Sequence, residues 1–160
     1  MLKGKVAVVT GGSRGIGEAI AYKLASMGAK IAVIYAGNAE AADNVCNKCN
    51  EAYGAEAKAY QCNVADFSAV KETVAKIKAD FGTAHILVNN AGITRDGLLA
   101  MMKEKDYDAV LDTNLKGAFN MIRHLSGVFL RNREGCIINI TSVAGMMGNA
   151  GQCNYSASKA

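Results

Sequence analysis

Five short apolar runs separated by helix-forming stretches constrain this chain more than any other feature. The runs are Val6–Thr10, Ile31–Tyr35, Ala57–Cys62, Ile86–Asn89 and Cys136–Ile140, and several are nearly continuous in apolar residues. Strands joined by helices cross over instead of turning back as hairpins, so they run parallel and the helices cover both faces. A strand buried on both sides loses the polar-apolar alternation of a half-exposed one, which is the pattern here. The predicted fold class is therefore α/β, a doubly wound parallel sheet. With 51% hydrophobic and 20% charged residues, 160 residues supply one core and no disordered tract. No repeat, low-complexity tract or Pro/Gly/Ser linker divides the chain, so a single domain over 1–160 is expected.

The connecting stretches carry helical periodicity. Ile16, Ile20, Leu24 and Met27 form one stripe, and Val70, Val74, Ile77 and Phe81 another. A longer helix is predicted from about Lys105 to Arg131. Its apolar side comprises Tyr107, Val110, Leu111, Leu115, Phe119, Ile122 and Phe129, and Gly117 and Gly127 interrupt it. Cys46, Cys49, Cys62, Cys136 and Cys153 form an odd set in apolar segments, which reads as reduced thiols of a cytoplasmic protein. Cys46 and Cys49 share a stripe with Ala42, Val45 and Tyr53, so they read as small core residues. His85 and His124 stand apart from each other and from carboxylates at ligand spacing, and no metal is predicted. Met101-Met102 and Met146-Met147 read as flexible packing, with the flanks of a substrate channel as the alternative. The net charge of +4 comes from cations spread over the surface helices, without a basic block, so nucleic acid is not an expected partner. The N-terminus leads straight into the first strand and no apolar stretch could span a bilayer, so neither export nor a membrane is expected.

Chemistry enters after the first strand, at Thr10-Gly11-Gly12-Ser13-Arg14-Gly15-Ile16-Gly17. Glycines between a strand and a helix let the backbone turn sharply and approach a diphosphate, whose charge the free N–H groups of the helix start favour. An NAD site of this kind ends its second strand on a carboxylate for the ribose 2'-hydroxyl. Here Tyr35-Ala36-Gly37-Asn38 stands instead, with Arg14 able to pair with a 2'-phosphate, so NADPH/NADP is the expected cofactor. Asn38 is expected to add a hydrogen bond. Further along, Tyr155-Ser156-Ala157-Ser158-Lys159 puts a phenol and an ammonium one helical turn apart. Bringing a phenol from its ordinary pKa of about 10 to neutrality takes about 4 kcal/mol. A cation about 4 Å away at an effective dielectric near 20 supplies an energy of that order. Ser142 and Asn89-Asn90-Ala91-Gly92 follow the fifth and fourth strands, at the carboxyl edge where open α/β sheets bind ligands.

In order and spacing the glycine loop, Asn89 to Gly92, Asn114, Ser142, and Tyr155 with Lys159 resemble the short-chain dehydrogenase/reductase family over essentially the whole chain. The resemblance implies a Rossmann-like fold and an NADP-dependent oxidoreductase. Tyr155 would donate a proton to a carbonyl oxygen and Ser142 would hydrogen-bond that oxygen. Lys159 would lower the tyrosine pKa and hold the nicotinamide ribose, and Asn114 would hold a water leading from Lys159 to solvent. Cofactor contacts would come from Gly11, Ser13, Arg14, Gly15, Ile16, Gly17, Asn38, Asn63, Val64, Asn90, Ala91 and Gly92, together with Tyr155 and Lys159. Asn63 departs from the family's usual aspartate beside the adenine, although an amide still donates and accepts there.

Within the family, Ile93 to Leu99, Asn114 to Gly117 and Gly148 to Gln152 look most like the 3-oxoacyl-[acyl-carrier-protein] reductases of fatty acid synthesis, with acetoacetyl-CoA reductases and other short-chain alcohol dehydrogenases as the alternative. That implies a carrier-bound 3-oxoacyl thioester as substrate, an acidic carrier protein that Arg131 and Arg133 could meet, and a homotetramer. The family's C-terminal third is missing, so the sheet is expected to stop after its fifth strand. A nucleotide-binding fragment without activity is the reading of another class.

Overall fold

A computed structural model describes residues 1–160. Strands β1 (Val6–Thr10), β2 (Lys30–Tyr35), β3 (Ala57–Gln61), β4 (Ile86–Asn89) and β5 (Cys136–Asn139) form one sheet in the order β3-β2-β1-β4-β5, every pair parallel. The first three are joined by helices α1 (Gly15–Ser26) and α2 (Ala39–Tyr53), and α3 (Phe67–Phe81) leads to β4. Between β4 and β5 come α4 (Glu104–Leu111), one π-helical turn over Asp112–Lys116, and α5 (Gly117–Asn132). Helices α6 (Val143–Met147) and α7 (Cys153–Lys159) follow β5. All five expected strands are present, with bounds shifted by at most one residue.

Because consecutive strand residues point to opposite faces, the two cores divide residue by residue. Val6, Val8, Ala32 and Ile34 pack with Val70, Val74, Ile77 and Phe81 of α3 and with Met121 and Leu125 of α5. Ala7, Val9, Ile31 and Val33 pack on the other face with Ala21 and Ala25 of α1 and with Ala42, Val45, Cys46 and Cys49 of α2. Burial pushes the Cys46 thiol up to about 12 and the Cys49 thiol up to about 11, so both are neutral core groups. Their companion on the expected stripe, Tyr53, is exposed instead, its ring tilted against that of Tyr22 at 6.4 Å between centroids.

Three other packing expectations are corrected. On α1 the most buried residues are Gly17, Ala21 and Ala25, with Ile20 and Leu24 packed half-buried beside them, while Ile16 is 65% exposed. Along α4 and α5, Tyr107, Leu115 and Phe119 face outward and Val110, Asn114, Met121 and Leu125 face inward. The π turn inserts extra backbone between the two helices and displaces the phase of the inward face. Met101, Met146 and Met147 are exposed rather than packed, and only Met102 finds a neighbour, Cys153 Sγ at 3.5 Å.

No helix is long and apolar enough to cross a membrane. The sheet order places β2 and β3 on one side of β1 and β4 and β5 on the other. The chain therefore reverses direction at β1 and β4, opening a crevice at their carboxyl ends.

Candidate active site

The crevice floor is held by one threonine that the sequence reading did not single out. Thr10 Oγ1 donates to the Val88 carbonyl at 3.2 Å and accepts from the backbone N–H groups of Asn90 and Ala91, each at 3.0 Å. Asn90 Nδ2 returns across the gap to the carbonyls of Thr10 and Gly11 at 3.0 and 3.1 Å. The ends of β1 and β4 are thereby locked together. Against this lock lies Gly17: a Cβ there would fall on the Gly11 carbonyl oxygen, well inside contact distance, and at 2.5 Å from Asn90 Nδ2. Only a residue without a side chain lets α1 start this close to the strand. No side chain caps α1, so the N–H groups of its first turn stay free for an anion.

Above the glycine loop a cavity of about 630 Å³ runs from Gly11, Ser13, Arg14, Gly15 and Ile16 past the end of β2 to the end of β3. Asn38 lines it, with Oδ1 committed to capping α2 at Ala41 N, 2.9 Å away. Asn63 and Val64 line it too. Asn63 Oδ1 accepts from Ala65 N at 3.1 Å, and the Val64 carbonyl is held by the buried Asn120 Nδ2 at 2.8 Å. Asn90, Ala91 and Gly92 form the opposite wall. Of the expected cofactor residues, Gly17 lies beneath this cavity, and Tyr155 and Lys159 stand beyond its rim. Cys62, Ile93 and Thr113 line it without having been foreseen as cofactor contacts; Cys62 and Ile93 stand just past β3 and β4, which was an available signal, whereas Thr113 lies in the π turn. Arg14 is the only charged side chain in the lining.

At the Gly92 end stand the polar groups of α7 and the β5 carboxyl edge. Lys159 Nζ donates to the Ile140 carbonyl at 2.8 Å and would lie 3.5 Å from a Cβ on Gly92. Ser142 Oγ accepts from Ala144 N at 3.2 Å and caps α6, which leaves its own proton free to donate. Helix α6 abuts α7 where Gly145 meets the Lys159 backbone, so Ser142 and the Tyr155–Lys159 pair share one edge. No hydrogen bond joins the Tyr155 hydroxyl to Ser142, and both are unspent donors. Asn114, 6% exposed, holds Ile93 through its N–H at 2.8 Å and its carbonyl at 3.0 Å, and gives its second amide hydrogen to Ser158 Oγ at 2.9 Å. Both donors of that side chain are therefore spent on protein. Arg131 and Arg133 close α5 at the amino edge of the sheet, the far end from this cleft within the chain.

The short chain dehydrogenase family signature matches residues 5–160. The chain belongs to the short-chain dehydrogenase family. Among relatives of this short-chain dehydrogenase, the 3-oxoacyl-[acyl-carrier-protein] reductase of Staphylococcus epidermidis is 51% identical over 156 residues, 98% of this chain and 64% of that protein. The Escherichia coli reductase of the same name is 44% identical over 158 residues, 99% of this chain and 63% of that protein. The chain thus spans slightly under two thirds of the length of these relatives. In structure it resembles an NAD⁺-bound xylitol dehydrogenase, with TM-score 0.94, 34% identity, and coverage of 99% of this chain and 60% of that one. It resembles equally a metagenomic short-chain oxidoreductase in complex with NADP, with TM-score 0.94, 38% identity, and coverage of 99% and 71%.

Burial holds the Lys159 ammonium below the usual lysine value of 10.5. Between its folded value and 10.5 the unfolded chain binds more protons, so the contribution of this group to stability rises with pH through that window. At lower pH the buried ammonium costs stability. The stability of Lys159→Met relative to wild type is accordingly expected to decline as pH rises from 7 towards 10.5. Denaturant midpoints at several pH values check this, and a pH-independent difference would contradict it.

Proposed function

We propose that the protein reduces a 3-oxoacyl thioester carried on acyl carrier protein to the 3-hydroxyacyl form, with NADPH as reductant. The observation that carries this reading is the junction of the glycine-floored cavity with Ser142, Tyr155 and Lys159 at one sheet edge. The 3-oxoacyl reductases among the relatives supply the substrate class.

The residues present fit a nicotinamide dinucleotide. Gly17 and the uncapped start of α1 leave room and N–H donors for a diphosphate. Arg14, with no carboxylate in the lining to oppose it, suits a 2'-phosphate, and the relative in complex with NADP agrees. When bound, the cofactor supplies the reducing equivalent to the carbonyl carbon. Tyr155 gives its proton to the carbonyl oxygen, and Ser142 donates a hydrogen bond to the same oxygen as charge develops there. The Lys159 cation compensates the charge left on the phenol oxygen and would hold the nicotinamide ribose. Asn114, with its amide committed to Ile93 and Ser158, keeps the Ile93 segment against α7.

Five free thiols support a reducing, cytoplasmic setting. The exposed Leu115, Phe119 and Leu130 recur at spacings that share one helix face, and this unpaired apolar face supports assembly as a homotetramer. The test is cofactor oxidation with an acetoacetyl thioester of acyl carrier protein. NADPH is expected to be used in preference to NADH, and Arg14→Ala to raise KM for NADPH by roughly tenfold or more, the worth of a charge-assisted hydrogen bond, with little change for NADH. Equal use of both cofactors by the wild type would overturn the 2'-phosphate assignment, and absence of turnover would overturn the substrate.

A further inference from the structure

Helix α7 carries Tyr155 and Lys159, yet its only buried residues are Asn154 and Ser158. Asn154 is fully buried and spends its whole carboxamide. Its Nδ2 donates to the Arg95 carbonyl at 2.9 Å and to the Asp106 carbonyl at 3.4 Å, and its Oδ1 accepts from the Tyr155 N–H at 2.8 Å. One turn later Ser158 Oγ accepts from Asn114 Nδ2 at 2.9 Å and donates to the Tyr155 carbonyl at 2.8 Å. The two side chains thus grip both peptide groups of Tyr155, and they tie them to the loop after β4, to α4 and to the π turn. Residues 154 and 158 share one helix face, and 155 and 159 share the next, about 100° further round. Apolar contact would tolerate a roll of the helix about its axis, whereas directional hydrogen bonds from one face fix it.

We propose that Asn154 and Ser158 are positioning residues that set the roll of α7 and thereby aim the Tyr155 hydroxyl. This rests on the reading of Tyr155 as the proton donor. A roll of roughly 10° moves a hydroxyl roughly 8 Å from the helix axis by more than about 1 Å. Misplacement of that size costs on the order of a hundredfold in rate. Neither side chain lines the cofactor cavity, so both reach the cofactor only through Lys159, which turns with Tyr155.

The experiment compares Asn154→Ala, Asn154→Asp and Ser158→Ala with wild type by steady-state kinetics, NADPH titration and amide hydrogen exchange. In Asn154→Ala, kcat is expected to fall by roughly ten- to a hundredfold and NADPH affinity by much less, since Lys159 is the one cofactor contact that turns with Tyr155. Amides of 154–159 should exchange faster while those of β1 and β4 do not. Asn154→Asp keeps the acceptor for Tyr155 N–H but cannot donate to the two carbonyls, and is expected to match alanine rather than wild type. Ser158→Ala removes a single hydroxyl and carries the same test should the Asn154 variants not fold. Unchanged kcat, a loss of NADPH affinity as large as the loss of kcat, or unaltered exchange in α7 would overturn the proposal. If wild type reduced no 3-oxoacyl thioester while Asn154→Ala still loosened α7, the substrate reading would fail and the anchoring would stand.

Discussion

Tyr155→Phe is expected to lower kcat for 3-oxoacyl reduction by a factor on the order of 10²–10⁴, the range that a positioned general acid contributes. NADPH affinity should change far less. The variant removes one oxygen from a half-exposed side chain that makes no hydrogen bond through that oxygen within the protein, so folding loses almost nothing. The peptide groups of Tyr155, held by Asn154 and Ser158, are untouched. What disappears is the proton that a carbonyl oxygen must gain as its carbon is reduced. Ser142 remains and can still hydrogen-bond the oxygen, and for that reason the loss is not total. Steady-state kinetics with a fluorescence titration of NADPH separates the two effects. A variant that keeps wild-type kcat would remove Tyr155 from the chemistry.

Gly17→Ala should produce the other large effect, on cofactor binding. The added methyl falls on the Gly11 carbonyl oxygen and crowds Asn90 Nδ2, both parts of the lock between β1 and β4. Backbone, not a flexible side chain, must give way. The start of α1 moves off the loop, and the N–H groups meant for the diphosphate go with it. Overpacking of this kind costs about 1–3 kcal/mol of stability. The affinity for NADPH should fall by roughly a hundredfold or more, since a displaced helix start forfeits several charge-assisted hydrogen bonds together. Thermal unfolding and NADPH titration measure the two losses. Wild-type affinity in Gly17→Ala would mean that α1 does not approach the cofactor as described.

The sheet was legible because its strands announce themselves twice, as apolar runs and as the partners of amphipathic stretches. The α3 stripe from Val70 to Phe81 was read correctly because its branched residues all face the core. On α1 the same rule held only in part. Ile20 and Leu24 of the expected stripe do pack half-buried against the core, but Gly17, Ala21 and Ala25 make the closest approach to the sheet and Ile16 goes to the cavity rim. The region 104–132 misled for a different reason: it has apolar residues on two faces, and periodicity alone does not say which is buried. The π turn around Asn114 then displaces the phase in a way no 3.6-residue pattern reveals.

At the site, the glycine loop and the Tyr155–Lys159 spacing were visible because local geometry dictates them. The supports were not. Thr10, Asn154 and Ser158 act through partners 44 to 81 residues away or through the backbone of Tyr155, and single-sequence spacing carries no trace of such contacts.

The central claim is that the glycine-floored cavity seats a nicotinamide against a carbonyl protonated from Tyr155. The most direct measurement uses NADPH bearing deuterium at the transferable C4 position together with a 3-oxoacyl thioester of acyl carrier protein, with the product examined by mass spectrometry and NMR. The account predicts one deuterium per product molecule, at C3 of the 3-hydroxyacyl chain, and in Tyr155→Phe the same label position at a much lower rate. A reduced product without deuterium at C3, or no cofactor oxidation with any 3-oxoacyl thioester, would contradict it.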